Sequence, residues 1–571
     1  MAAELNGSPV RLAQKPTRRP LSGWVALLAL CLPYVLLLIL VPPGGETPAA
    51  DDFDYSATAF HLLKTGRLVL SDWPAMTLVG HVLWGALFGT IGGANYASLR
   101  LSMLALSVMT TLSLYFWCRR QGHGQFFSVC AGLMFAVNPF TVLYEYTFMT
   151  DLTGAAAATA LLVFCPKFSE TRLSRWFAYG VSGGFAYLVR ETAAIPFLVV
   201  VGIAFCGLFA GTVEREKFFV MLFPAAVLFV AYQVWLHDWS GVPYHRQTSM
   251  LATGSLGERF RRLLLILTGL GFQLLPVVVL LRWEIVRQKW RRSVLLLIVL
   301  ASSAYIGYGT IPMEVLLIGK AGSIPFVRVA AGWVSIAAAA QLLILWTRLF
   351  KQVLPGFLQD AWKLAPILSL AANILLMLVT RLYFDRYLLS LLPLAILVTA
   401  QAMPPNSVSQ RTRAIAALLL LLTAVSSFMH LQHHQQRQQK FWSVAEQLHA
   451  AGIEPRVVDG GLTYAGWYRY TPAYRGETHQ GPYLSRLSRE EFEMALLGLS
   501  PYSDYAHRAI LLDDQNRPGY RVLVEFPYDS WSGGGKIVVA QRDDLDETKL
   551  PPQFLEWVRS MNAVPHQRVD F

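Results

Sequence analysis

Asp51, Asp52 and Asp54 put three carboxylates within four residues, a short way beyond an apolar run at 23–41. Charge this near to hydrocarbon is costly and marks a working site. A carboxylate at a membrane interface can take the proton from an acceptor hydroxyl while a leaving group departs. If the reacting centre is a sugar carbon, its transition state is oxocarbenium-like, and a nearby anion also steadies the developing positive charge. A phosphate leaving group needs cations, and Arg offers a planar fork with two parallel donors. Candidate partners are Arg190, Arg381 and Arg386, with Lys320 and Arg328 as weaker ones. Tyr55 follows the acidic triplet, Asp151 heads a later apolar run, and Asp385 stands beside Arg386.

The elements that must carry these residues are membrane helices. The chain of 571 residues is 54% hydrophobic and only 15% charged, against about 25% charged in soluble proteins. Its net charge of +12 comes from basic residues clustered between apolar runs, the signature of cytoplasmic loops rather than of nucleic-acid binding. Applying that rule from the Arg-rich residues 1–22, a cytoplasmic tail, gives a transmembrane domain over 23–429. It has about thirteen spans and a first outer loop at 42–97. Within that loop, 54–65 and 75–90 read as helices lying in the interface. The polar part, 430–571, falls on the outer side as a small α/β domain, with period-2 strands around Tyr520–Phe526 and Lys536–Ala540. The charge rule, which knows nothing of chemistry, thereby sets Asp51, Asp52, Asp54, Asp151, Arg190, Glu191, Arg381, Asp385 and Arg386 on one face of the membrane.

Plainer roles compete with chemical ones. Asp52 and Asp54 also suit the N-cap of the helix that follows, and Asp151 the head of its span. Glu191 reads as half of a local ion pair with Arg190, whereas Arg190 leans towards a phosphate. Loop 237–262 is long enough for a lid, which would bring His245 and Arg246 to the donor. The His/Gln run at 430–439 lacks metal-ligand spacing and reads as a solvated linker. The five cysteines lie in or beside apolar runs and read as free thiols. No metal or other cofactor is expected.

The motifs have a family likeness. Asp51-Asp52 with Tyr55, then Gly66 and Asp72-Trp73-Pro74; Phe148-Met149-Thr150-Asp151; Tyr187 to Thr192; and Phe384-Asp385-Arg386-Tyr387 with Pro393 occur in that order. Together they resemble the GT-C membrane glycosyltransferases, and most nearly the protein O-mannosyltransferases and the bacterial aminoarabinose transferases of lipid A (the family 39-like group). The resemblance covers about residues 20–430. It implies an inverting transfer from a polyprenyl-phosphate-linked sugar to an acceptor on the outer face, without a nucleotide sugar. The family's acidic pair falls on Asp51 and Asp52, which makes Asp51 the general base. Asp151 then orients the acceptor or supports the base. The implied setting is the bacterial inner membrane, with the site towards the periplasm and a lipid, glycan or protein as acceptor. A secondary transporter of a polar or anionic solute is the alternative. It fits less well, because the two halves are not similar and the acids sit in loops rather than at midplane.

Overall fold

A computed structural model describes residues 23–70, 76–236, 255–280, 325–356, 361–380, 385–403, 409–470, 510–515, 517–545 and 550–563. The first half is helical: α1 (Gly23–Leu40), α2 (Asp52–Thr65), α3 (Val79–Gly92), α4 (Tyr96–Arg120), α5 (Gln125–Ala136), α6 (Pro139–Tyr144), α7 (Thr150–Val163), α8 (Leu173–Val189), α9 (Ile195–Phe209) and α10 (Arg215–Val234). After these come α11 (Leu256–Gln273), α12 (Leu275–Val278), α13 (Pro325–Val353), α14 (Ala361–Val379), α15 (Leu388–Ala402) and α16 (Gln410–Ala450). The last elements are β1 (Val458–Asp459), α17 (Gly461–Ala465), β2 (Ile510–Asp513), β3 (Tyr520–Tyr528), β4 (Gly535–Arg542) and α18 (Pro552–Ala563).

Among the described residues, six helical stretches are long and apolar enough to cross a membrane, and four shorter apolar helices accompany them. Outward faces such as Trp24, Ile39, Phe209 and Phe223 are exposed large apolars, which in a soluble protein would be an aggregation surface. The chain is an integral membrane protein. Residues 281–324, which hold the basic stretch Arg282 to Arg292 and the apolar run 293–311, lie outside the described residues.

Small residues let the helices approach. A Cβ at Gly180 would meet the Met221 carbonyl oxygen at 2.0 Å, and one at Gly184 would meet Leu228 at 2.7 Å. This four-residue spacing of glycines seats α8 directly on α10, as membrane helices do where lipid offers no hydrophobic drive. At 14 residues each, α2 and α3 are roughly 21 Å long, short of the ~30 Å hydrocarbon layer.

The C-terminal part has the expected α/β character. Its sheet order is β1-β2-β4-β3, with β1 parallel to β2 and the other pairs antiparallel. The two strands read from period-2 alternation are β3 and β4, paired from Tyr520↔Arg542 to Tyr528↔Gly535 with one irregularity between Val522 and Val524. One expectation is corrected. Residues 430–439 are not a linker but the middle of α16, a single helix of 41 residues. Its length is possible because Gln, His and Lys are tolerable helix formers and one face is packed. His433 Nδ1 lies 2.8 Å from Ser530 Oγ, Gln432 Oε1 accepts from the Trp531 amide at 2.8 Å, and Arg437 pairs with Asp514 at 2.8 Å. The boundary drawn between 429 and 430 therefore falls inside a continuous helix.

The sheet domain rests on the first loop. Trp442 Nε1 donates to the Pro48 carbonyl at 3.2 Å, Trp467 lies 6.2 Å from the Tyr96 ring, and Gly466 is pressed against Phe53. Of the cysteines, Cys118, Cys130 and Cys165 are buried, Cys31 is half-buried and Cys206 exposed, all as free thiols.

Candidate active site

Three turns converge at one end of the helical body. The first is the start of α2, the second the start of α7, and the third the short 3-10 turn Asp385–Tyr387 that leads into α15. Arg190, the residue after α8, closes the ring from the side in an extended conformation.

Asp51 occupies the N-cap position of α2 but makes no capping hydrogen bond. Its Oδ2 instead accepts from both terminal nitrogens of Arg386, at 3.2 Å each. The Nε of Arg386 reaches towards Asp151 Oδ2 at 3.9 Å. Asp151 Oδ1 accepts from Arg190 at 2.7 Å, and the Arg190 guanidinium lies over the Tyr387 ring, 5.3 Å from its centroid. Two carboxylates and two guanidiniums thus alternate, and their side chains are 3–18% exposed. Burial works against the charge on Arg386, yet Asp151 and Asp51 more than offset it and hold its pKa above the usual value. The Tyr144 hydroxyl lies beside the same guanidinium.

Asp52 is spent differently. It is fully buried, and its two oxygens accept from the backbone amides of Ala49 at 2.6 Å and Phe148 at 3.2 Å. It fastens the first acidic loop to the second and caps no helix. Ala50, between Ala49 and Asp51, has φ 57°, a left-handed conformation costing roughly 1–2 kcal/mol for a residue with a Cβ. The Asp52–Ala49 bond helps hold that strained turn, which aims Asp51 outward from the start of α2. Burial pushes the Asp52 carboxyl up to about 7, against the opposing influence of Arg100 and the two amides.

Arg100 completes the lock. Its terminal nitrogens donate to the carbonyls of Gly44, Gly45 and Thr47 at 2.7–2.8 Å, which fixes the chain just ahead of Asp51. Tyr55 donates to Met76 Sδ at 3.6 Å and packs edge-on to His81. Burial and the Asp51 charge keep its hydroxyl well above its ordinary pKa and therefore neutral. Asp54 is buried on the same helix.

The structure brings together Asp51, Asp151, Arg190 and Arg386, four positions separated by up to 335 residues. It keeps Asp52, Asp54 and Tyr55 behind them. Arg190 pairs with Asp151 and not with Glu191, which instead begins the 3-10 turn Glu191–Ala194. Asp385 is half-buried, and burial raises its pKa. His245, Arg246, Lys320 and Arg381 lie outside the described residues, as do Asp72-Trp73-Pro74 and Phe384; Arg328 belongs to α13, but its side chain is not described. Sequence reasoning missed Tyr144 and Tyr387 beside this cluster and Arg100 in the loop scaffold behind it. The signal for Arg100 was present: a lone guanidinium inside an apolar run is never idle.

Residues 80–236 match the family described as dolichyl-phosphate-mannose-protein mannosyltransferase, about a quarter of the chain. They contain α7, α8, Asp151 and Arg190, and the resemblance to the GT-C membrane glycosyltransferases stands on that match. Comparison with curated protein sequences returns no match. Among solved structures, ArnT from Cupriavidus metallidurans bound to undecaprenyl phosphate is similar at 14% identity, over 91% of this chain and 98% of that one, with TM-score 0.40. AglB from Archaeoglobus fulgidus, in complex with an inhibitory peptide and a dolichol-phosphate, is similar at 12% identity over 85% and 65% of the two chains, with TM-score 0.40. The arabinofuranosyltransferase AftD from Mycobacteria is similar at 14% identity over 92% and 40%, with TM-score 0.42. These scores are too low to carry any residue role across.

Proposed function

We propose that the chain is an inverting glycosyltransferase that moves a sugar from a polyprenyl-phosphate donor to an acceptor hydroxyl or phosphate on a cell-envelope glycan, a glycolipid or a protein. The reading rests first on Arg386, which holds Asp51 in a two-pronged hydrogen bond while leaning on Asp151. In the reaction, Asp51 takes the acceptor's proton as the acceptor oxygen attacks the anomeric carbon. The bond from that carbon to the donor's phosphate oxygen breaks, and its electron pair leaves with the phosphate. Arg386 and Arg190 receive that charge, and the single displacement inverts the centre. Asp151, bonded to Arg190 at 2.7 Å and 3.9 Å from Arg386, holds the two guanidiniums on either side of it and orients the acceptor.

Asp51 and a donor phosphate compete for the same two nitrogens of Arg386. Binding of the donor therefore frees the carboxylate that the next step needs, so the base is released only when there is a sugar to transfer. No divalent metal is part of this proposal, because both carboxylates already face guanidiniums, which supply the cationic charge a metal would bring. The charge pattern of the loops supports an orientation with the site towards the periplasm of a bacterial inner membrane.

The test is Asp51→Asn in the full-length protein, assayed with a polyprenyl-phosphate sugar and by mass spectrometry of envelope lipids and glycans. Loss of a general base costs about 10²–10⁴ in rate while expression and melting temperature stay near those of the parent. Undiminished product from well-folded D51N protein overturns the assignment, as does transfer abolished by chelation and restored by a divalent ion. Solute uptake without any lipid-linked donor would favour a transporter instead.

A further inference from the structure

A large apolar groove of about 1060 Å³ runs along α4, α7 and α8, from Thr153 and Val189 near the acidic cluster to the opposite end of α7. Its floor is the Ala-rich face of α7, where Ala156, Ala157 and Ala160 leave room that larger side chains would fill, and its sides include Met109, Val181 and Phe185. Several of these residues are half-buried or exposed, so the groove opens sideways towards lipid. The size is at the upper end of the range for small-molecule pockets.

Its far end is polar and positive. The site lies where α7 begins and α8 ends, whereas the groove extends to where α7 ends and α8 begins, roughly 21 Å away along a 14-residue helix. There Arg120, Lys167 and Arg175 border it together with Glu170, three cations to one carboxylate. Arg175 pairs with Glu170 at 2.7 Å, and Arg120 donates to the Val163 carbonyl that ends α7 at 3.3 Å. Tyr179, also on the groove wall, is buried, with its hydroxyl beside the Cys165 thiol.

We infer that this groove holds an anionic glycerophospholipid of the opposite leaflet, with its phosphate at Arg120, Lys167 and Arg175 and its acyl chains along the alanines of α7. Apolar walls take hydrocarbon, and a cationic mouth takes phosphate. A polyprenyl carrier anchored at Arg190 and Arg386 would bring only hydrocarbon to this end and give the cations nothing to bind. By the positive-inside rule such a rim faces the cytoplasm. The inference is independent of the transferase reading, because it concerns the other face of the membrane and is tested without activity.

The experiment uses the full-length protein in neutral detergent, titrated with phosphatidylglycerol or with phosphatidylcholine, and read by melting temperature and native mass spectrometry. Phosphatidylglycerol should raise the melting temperature saturably and be retained as a bound lipid, and phosphatidylcholine should do neither. Lys167→Glu with Arg175→Glu, both exposed positions, should weaken phosphatidylglycerol on the order of tenfold. Ala157→Leu with Ala160→Leu, which fills the floor, should weaken it as well with the rim intact. Equal stabilisation by phosphatidylcholine overturns the inference, as does phosphatidylglycerol binding unchanged in both double variants. One-for-one displacement of phosphatidylglycerol by undecaprenyl phosphate would also overturn it and give the groove to the carrier's tail.

Discussion

Two charged layers lie next to each other at the start of α2, and they differ in what they bind. Asp52 and Arg100 spend their polar atoms on the backbone: two amides for the first, three carbonyls for the second. Asp51, Asp151, Arg190 and Arg386 spend theirs on one another. A charge bonded to backbone cannot leave without unmaking the loop. A charge bonded to another side chain can be exchanged for a substrate of the same sign. Adjacent residues of identical type, Asp51 and Asp52, thus differ in the kind of partner they hold, a side chain for the first and backbone amides beside the strained turn at Ala50 for the second.

The sharpest way to break this contrast is Asp52→Ala. It leaves the amides of Ala49 and Phe148 buried without acceptors, at about 1–3 kcal/mol each, and takes a charge from the neighbourhood of Arg100. The expected outcome is a loss of roughly 3–5 kcal/mol of stability, read as a much lower melting temperature and poor expression. A stable D52A protein that is merely inactive would place Asp52 with the chemistry instead.

Arg386→Lys probes the other layer. An ammonium keeps the charge but not the fork. Folding should be near normal, while the apparent affinity for the lipid-phosphate donor falls on the order of tenfold, the worth of a charged hydrogen bond. A melting temperature that drops as far as in D52A would erase the distinction between the layers.

The smallest effect concerns pH. Glu145, in the loop after α6, is buried, and burial pushes its carboxyl up to about 8 from 4.5. A raised folded-state pKa means that the native protein binds the proton more tightly than the unfolded chain between those values. Its contribution to stability is therefore complete below about pH 4.5 and is lost as pH rises through about 8. Glu145→Gln, neutral at every pH, should flatten that part of the melting-temperature profile. An unchanged slope in E145Q would assign it to another group, with Asp52 at about 7 the first to examine.

Much of the site could be read from the chain because the bilayer makes charge conspicuous: Asp51, Asp151, Arg190 and Arg386 each interrupt or border apolar runs. The division between Asp51 and Asp52 could not, since it depends on the Phe148 amide, 96 residues away, and no local spacing encodes a partner that distant. The linker reading of 430–439 failed for a related reason. A polar run without hydrophobic periodicity looks solvated until the hairpin at Ser530 and Trp531 supplies its partners. Strands β3 and β4 of the C-terminal sheet were legible because their alternation is local, as was the helical character of the apolar runs, whereas β1 and β2, of two and four residues, are too short to show a period.

Helix α16 has no glycine or proline in its 41 residues and is therefore roughly 60 Å of uninterrupted rod. Its first half belongs to the bundle and its second half to the sheet. Such a rod couples the tilt of the sheet to that of the membrane helices it packs among.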